Sequence, residues 1–169
     1  ENFNYTLEIF LKVVPLIILL FFPFFEIFLN FWLGNNYNKT ILILTKIFSI
    51  CSIFSCASHL LITKFEASKT LYRNLKIEFI LMPFFLVLLF YLTKNSFTLI
   101  QISFLILLKE WFLLFFRLDL LKKEIKNFRY YYFFSTLIVF ALYLSINFEE
   151  VFFGLIIIMI LSVFLKNDQ

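Results

Sequence analysis

The stretch VVPLIILLFFPFFEIFLNFWL, residues 13–33, decides the fold, because Glu26 is the single charged residue within it. Crossing the hydrocarbon core of a bilayer takes roughly 20 predominantly apolar residues in a helix. The whole chain of 169 residues is 63% hydrophobic and 15% charged, with a mean hydropathy of +0.97. Soluble domains are about 45–50% apolar and about 25% charged. The composition therefore indicates an integral membrane protein.

Five further apolar runs follow the first one, each bounded by charged or turn-forming residues. Together the six predicted spans are residues 13–33, 40–62, 77–93, 97–118, 130–147 and 150–165. The runs are continuous and do not alternate in polarity, which favours helices over a β-barrel. We therefore expect an all-α membrane protein in which residues 1–169 form a single bundle of about six transmembrane helices.

The distribution of Lys and Arg predicts the orientation of this bundle. Basic residues cluster between the second and third spans and between the fourth and fifth, at Lys64, Lys69, Arg73, Lys76, Arg117, Lys122, Lys123, Lys126 and Arg129. Because cytoplasmic loops carry an excess of Lys and Arg, both basic segments and both chain ends are predicted to be cytoplasmic.

The second basic segment continues the helical pattern beyond Arg117, with Leu118, Leu121, Ile125 and Phe128 on one face. This pattern predicts an amphipathic helix on the inner membrane surface, and we expect the lysines and arginines of both segments to contact anionic headgroups. A simpler interpretation is that these charges only fix the topology.

Ionisable residues inside the predicted spans are the first candidates for function. A charge at the bilayer centre costs about 2.5–3.5 kcal/mol on insertion scales, so such residues tend to face protein or water. Glu26 and Lys46 fall at similar depths on neighbouring spans. We hypothesise that they pair or line a polar cavity together; a purely structural ion pair, or a Lys46 that snorkels outward, is an equally good interpretation.

Two helix faces carry most of the remaining polar residues. On the second span, small and polar residues share one side: Thr45, Ser49, Ser52, Cys56, His59 and Thr63. Such a face allows close helix packing, which is the commoner case, or lines a water-filled passage. His59 is a candidate for a proton relay, although a lone histidine more often has a structural role.

On the fourth span, Ser96, Ser103, Glu110 and Arg117 recur at heptad spacing. This face is interpreted as a cavity wall, where Glu110 holds a cation or proton and Arg117 meets an anionic substrate. The alternative is that Glu110 is a buried carboxylate matched by Lys109 or by a basic group on another helix.

The sequence gives little support for a disulfide, a metal site or a phosphate-binding loop. Cys51 and Cys56 are too far apart along a helix for a disulfide. A metal site needs several well-spaced ligands, and the chain has one His and no Cys-X-X-Cys pattern. Two distant glycines exclude a Gly-rich phosphate loop. We therefore expect no cofactor.

The order of features in the first third resembles a known family. A proline-interrupted span ends in Phe31–Trp32–Leu33–Gly34, the polar run 35–38 (NNYN) follows, and after the next span comes the polar segment 63–69 (TKFEASK). This order resembles the start of the C-terminal half of Wzx-type polysaccharide-biosynthesis flippases, in the multidrug/oligosaccharidyl-lipid/polysaccharide exporter superfamily.

That resemblance implies one six-helix lobe of a two-lobe transporter and hence a longer polypeptide. It also implies transport of an undecaprenyl-diphosphate-linked oligosaccharide across the bacterial inner membrane by alternating access, for synthesis of surface polysaccharide such as O-antigen. Such transport requires no covalent chemistry, so the resemblance implies a protein that is not an enzyme. The implied partners are this substrate, membrane lipids, an N-terminal lobe and polysaccharide-assembly proteins, with no nucleic acid.

Three alternative functions remain open. One is a small-molecule exporter of the same superfamily. Another is a membrane glycan polymerase or acyltransferase, although such enzymes commonly use sizeable outer loops and the predicted outer loops are short. The third is a structural subunit of a transporter, whose function would survive neutralisation of every charge inside the membrane.

Overall fold

The computed structural model describes residues 2–94, 97–122, 125 and 128–147, and helices make up nearly all of these ranges. The α-helices are α1 (Asn2–Glu8), α2 (Val14–Leu33), α3 (Lys39–Ala67), α4 (Leu71–Lys94), α5 (Leu99–Leu120) and α6 (Phe128–Asn147). A π-helical turn, Ile9–Val13, joins α1 to α2, and a 3-10 turn, Gly34–Asn36, follows α2. The prediction of an all-α chain is confirmed for this described part.

Four helical segments are long and apolar enough to cross a membrane. They are Tyr5–Asn36, Lys39–Ala67, Leu71–Lys94 and Leu99–Leu120, and α6 adds a shorter apolar stretch, Tyr131–Tyr143. These segments overlap the first five predicted apolar runs, as expected for a membrane protein. The sixth predicted span, residues 150–165, lies outside the described residues.

The first span begins earlier than predicted, because helix extends from Asn2 instead of starting at residue 13. Pro15 has no backbone N–H and therefore cannot donate to the carbonyl four residues before it. The π-helical turn lies immediately before this proline, and such turns relieve a local mismatch in the α-helical hydrogen-bond ladder. The helix therefore passes the proline without ending.

A tight corner joins α2 to α3. Gly34 has φ +52°, a left-handed conformation that side chains with a Cβ rarely adopt. The Tyr37 N–H donates to the Gly34 carbonyl at 3.1 Å. The Asn38 side chain then caps α3 by accepting from the Ile41 N–H at 3.0 Å. A positive-φ glycine and an Asn cap thus reverse the chain within a few residues.

The prediction of a polar loop over residues 63–76 is wrong. Helix α3 continues to Ala67 and α4 begins at Leu71, so the connection is only Ser68–Thr70. Lys69 has φ +56°, and the Thr70 N–H donates to the Phe65 carbonyl at 2.9 Å. Basic residues do not end a helix, and both helices simply extend past the apolar region.

The prediction of an amphipathic helix beyond Arg117 is also wrong. Helix α5 ends at Leu120, a turn covers Leu121 and Lys122, and Phe128 already begins α6. Leu121 and Ile125 are 2% and 4% exposed and belong to the hydrophobic core. Their apolar side chains pack against the bundle, so they do not form the surface of a membrane-lying helix.

Helix α3 is the central element, in contact with α2, α4, α5 and α6. The core side chains include Phe22, Ile47, Ile50, Phe54, Leu61, Leu107, Leu114, Leu118, Phe134 and Ile138. Helix α4, by contrast, buries only Asn74 and Phe85. It lies at the periphery of the described bundle, with most of its apolar surface facing outward.

Candidate functional site

Arg117 lies in the last turn of α5 and is only 4% exposed. Its Nε donates to Asn74 Oδ1 at 2.7 Å, Nη1 donates to Ser58 Oγ, and Nη2 forms an ion pair with Glu78 Oε1. Asn74 Nδ2 also donates to Glu78 Oε1 at 3.0 Å. One guanidinium therefore joins α3, α4 and α5; we call these four residues the Arg117 network.

The network satisfies a charge that burial would otherwise strongly disfavour. Ser58 and Asn74 are 1% and 2% exposed, whereas the Glu78 side chain is 32% exposed. A buried charge is tolerated only when it is paired and hydrogen-bonded. Each of the three guanidinium nitrogens has a partner, and Glu78 is the one partner that retains substantial access to the outside.

A polar cavity of about 160 Å³ adjoins this network between α3, α4 and α5. Its lining side chains are Ser55, His59, Ile62, Glu78, Met82, Glu110, Leu113 and Arg117. On this measure one water needs only about 10–15 Å³, so the cavity has room for several waters. The structure thus brings together three of the five predicted pathway residues, His59, Glu110 and Arg117.

Glu110 has a close basic neighbour within its own helix. Its carboxylate lies 2.8 Å from Lys109 Nζ, and the two side chains are 14% and 26% exposed. This contact matches the alternative interpretation, a carboxylate balanced by Lys109. Glu110 nevertheless remains on the cavity wall, one helical heptad from Arg117.

Glu78, Asn74 and Ser58 were not identified from the sequence. Asn74 lies between the second and third predicted spans, and Glu78 is the second residue of the third predicted span. The available signal was the spacing of four residues between Asn74 and Glu78, which places both on one face of a helix. That signal becomes visible only once α4 is known to begin at Leu71.

Glu26 and Lys46 have separate partners instead of pairing. Tyr37 Oη donates to Glu26 Oε1 at 3.2 Å on the exposed surface. Desolvation, this hydrogen bond and the carboxylate charge raise the pKa of the Tyr37 phenol, which therefore remains a donor at neutral pH.

Lys46 is 6% exposed, and its Nζ donates to the Ser145 carbonyl at 3.0 Å and lies 5.7 Å from the centre of the Phe22 ring. Ser145 is in the last turn of α6, where carbonyls lack partners within the helix. A cation there also interacts favourably with the helix dipole. Lys46 therefore stabilises the end of α6.

The polar face predicted on α3 points largely away from the core. Ser52, Cys56, His59 and Thr63 are exposed in the described structure. The hydroxyls of Thr45, Ser49 and Ser52 donate to carbonyls four residues earlier in the same helix, at 2.8–2.9 Å. These hydroxyls are compatible with an apolar environment because their hydrogen bonds are already made.

The candidate headgroup contacts gather where α3 and α5 end and α4 and α6 begin; we call this the basic end. Lys69, Arg73, Lys76, Lys122 and Arg129 are exposed there. Lys64 Nζ lies 5.6 Å from the centre of the Phe3 ring, and Lys122 pairs with Asp119 at 3.3 Å. Lys123 and Lys126 lie outside the described residues.

Comparison with known protein families, with curated proteins and with solved structures finds no match to this chain.

Proposed function

We propose that this chain belongs to a membrane transporter that moves an undecaprenyl-diphosphate-linked oligosaccharide across the bacterial inner membrane. The observation that carries the proposal is the polar cavity lined by Arg117, Glu78, Glu110 and His59, between three apolar helices. Charged side chains inside membrane-spanning helices are expensive and commonly mark the pathway of a substrate or an ion.

The chemistry of Arg117 supports an anionic substrate. Guanidinium presents its N–H groups as a planar fork that matches phosphate and carboxylate oxygens. In the structure that fork already holds one carboxylate oxygen, of Glu78, so it is arranged for an anion. The apolar outer surfaces of α2 and α4 suit a polyprenyl chain, which can remain in lipid while its diphosphate enters the cavity.

The position of the cavity supports entry from the cytoplasmic side. Arg117 lies three residues from the end of α5, close to the basic end. The positive-inside rule places the basic end in the cytoplasm, where lipid-linked sugars are assembled before export. A cavity for a few waters cannot hold a glycan, so transport requires it to open, as in alternating access.

A reconstituted assay tests the proposal with the intact protein that contains this chain. Proteoliposomes carry an undecaprenyl-diphosphate-linked oligosaccharide, and a membrane-impermeant lectin or glycosidase reports its appearance in the opposite leaflet. We expect Arg117→Gln to slow transfer at least about tenfold, because a charge-assisted contact contributes about 1.5–3 kcal/mol. Arg129→Gln, at an exposed position of the same end, is the matched control.

One result would contradict the proposed mechanism, and two would favour other functions. Equal transfer by the wild type and Arg117→Gln contradicts the role of the cavity. Export of a dye without transfer of the lipid indicates a small-molecule exporter. A change in the mass of the lipid-linked glycan during the assay indicates a polymerase or acyltransferase.

A further inference from the structure

Helix α4 is held to the rest of the bundle by few buried groups. Only Asn74 and Phe85 are buried along its length, while Phe79, Ile80, Val87 and Phe90 are 70–79% exposed. Apolar surface that faces lipid contributes little to helix association, which depends on packing and on hydrogen bonds between helices. The few inward contacts of α4 therefore decide whether it stays in place.

Other apolar side chains of α4 are half-buried, and its two buried residues lie at different levels of the helix. Asn74 and Glu78 bind Arg117 near the basic end. Further along, the Phe85 ring packs against Phe112 of α5, with ring centres 6.3 Å apart. Pro83 lies between these two levels, where it leaves one backbone carbonyl without its helical donor and allows the helix to bend.

The partners of Arg117 also differ in how easily they can be replaced. Ser58 and Asn74 are almost fully buried, whereas one third of the Glu78 side chain is exposed and it lines the cavity. An anion that enters the cavity therefore meets Arg117 at the position of the Glu78 carboxylate. A diphosphate carries more charge than a carboxylate and offers several acceptor oxygens to the same fork.

We propose that the Arg117 network is a latch that holds α4 against α3 and α5, and that a diphosphate group opens it by replacing the Glu78 carboxylate on Arg117. The first half depends only on the contacts of α4, and the second rests on the proposed function. Release of Glu78 frees the part of α4 before Pro83 to move outward, which widens the cavity toward the lipid.

Distances between spin labels in the intact, bilayer-reconstituted protein test the latch. With Cys51 and Cys56 replaced by alanine, one label is placed at Thr63 on α3 and the other at Phe79 on α4, both exposed positions. We expect Glu78→Gln to lengthen or broaden this distance by a few ångströms. A reference pair, Thr63 and Phe116, spans the tightly packed α3 and α5 and should not change.

A charge swap separates a latch from a general loss of structure. The double variant Glu78→Arg/Arg117→Glu re-forms an ion pair between α4 and α5, and Ser58 and Asn74 can bond either group. We expect the swap to restore the shorter distance. An unchanged distance in Glu78→Gln, or a swap that leaves the distance long, overturns the latch.

The replacement of Glu78 by a diphosphate is tested by the same distance measurement with the Arg117 network unmodified. Three compounds are added separately: undecaprenyl diphosphate in the bilayer, inorganic pyrophosphate in the buffer, and uncharged undecaprenol. We expect lengthening with a diphosphate and none with undecaprenol. A response to the lipid alone identifies a lipid-borne diphosphate as the ligand, and a response to pyrophosphate identifies the group itself. No response to either diphosphate overturns the exchange, whereas a positive response without transport contradicts only the proposed function.

Discussion

The two partners of the central ion pair should not contribute equally to stability, and this asymmetry follows from their exposure. Glu78→Met leaves the charge of Arg117, a residue that is only 4% exposed, without its carboxylate partner. Breaking a buried pair in this way costs about 3–5 kcal/mol. Arg117→Met leaves Glu78 about one-third exposed and still bonded by Asn74, so we expect a loss of only about 1–3 kcal/mol.

The double variant Glu78→Met/Arg117→Met sharpens the test. Because it removes both charges together and replaces them with apolar side chains, it should be more stable than Glu78→Met alone. The measurement is reversible unfolding in mixed detergent micelles, followed by circular dichroism, for the wild type and the three variants. If Arg117→Met costs as much as Glu78→Met, or if the two losses simply add, the network does not work as described.

Three further variants test the elements that position the site, each by the same unfolding measurement. Lys46→Met should cost about 1–2 kcal/mol, because it removes a cation from the last turn of α6; no loss would contradict that role. Gly34→Ala should cost about 1–2 kcal/mol, since φ +52° is unfavourable for a side chain with a Cβ, and wild-type stability would refute the corner geometry. Thr98→Ala should cost about 1 kcal/mol by removing the capping box with Gln101, whereas Thr136→Ala, an exposed position in α6, should be nearly neutral.

Hydropathy predicted the positions of the apolar helices because the hydrocarbon thickness sets their length. It did not predict where those helices end. Helix α3 continues to Ala67 and α4 starts at Leu71, because polar and basic residues can continue a helix beyond its apolar part. The expected loop at residues 63–76 was therefore mostly helical, and with it Asn74 was misassigned.

The sequence could relate site residues that share a helix, but it could not predict contacts between different helices. Glu110 and Arg117 share one helix, and their heptad spacing alone placed them on one face, where the structure has them in one cavity. Glu26 and Lys46 lie on different helices, and their predicted pairing used depth alone. Depth does not give the rotation of a helix about its axis. In the structure Glu26 accepts a hydrogen bond from Tyr37, and Lys46 donates one to α6. Contacts between helices, such as Ser58 with Arg117, need that rotation.

The most direct test asks whether water reaches the cavity of a protein seated in a bilayer. In a background without Cys51 and Cys56, single cysteines are placed at Ser55, on the cavity wall, and at Val87, on the outer face of α4. A membrane-impermeant thiol reagent applied from the side of the basic end should label position 55 and leave position 87 unlabelled. Protection of position 55 under every condition, with or without a diphosphate lipid, would contradict a wet transport cavity at Arg117.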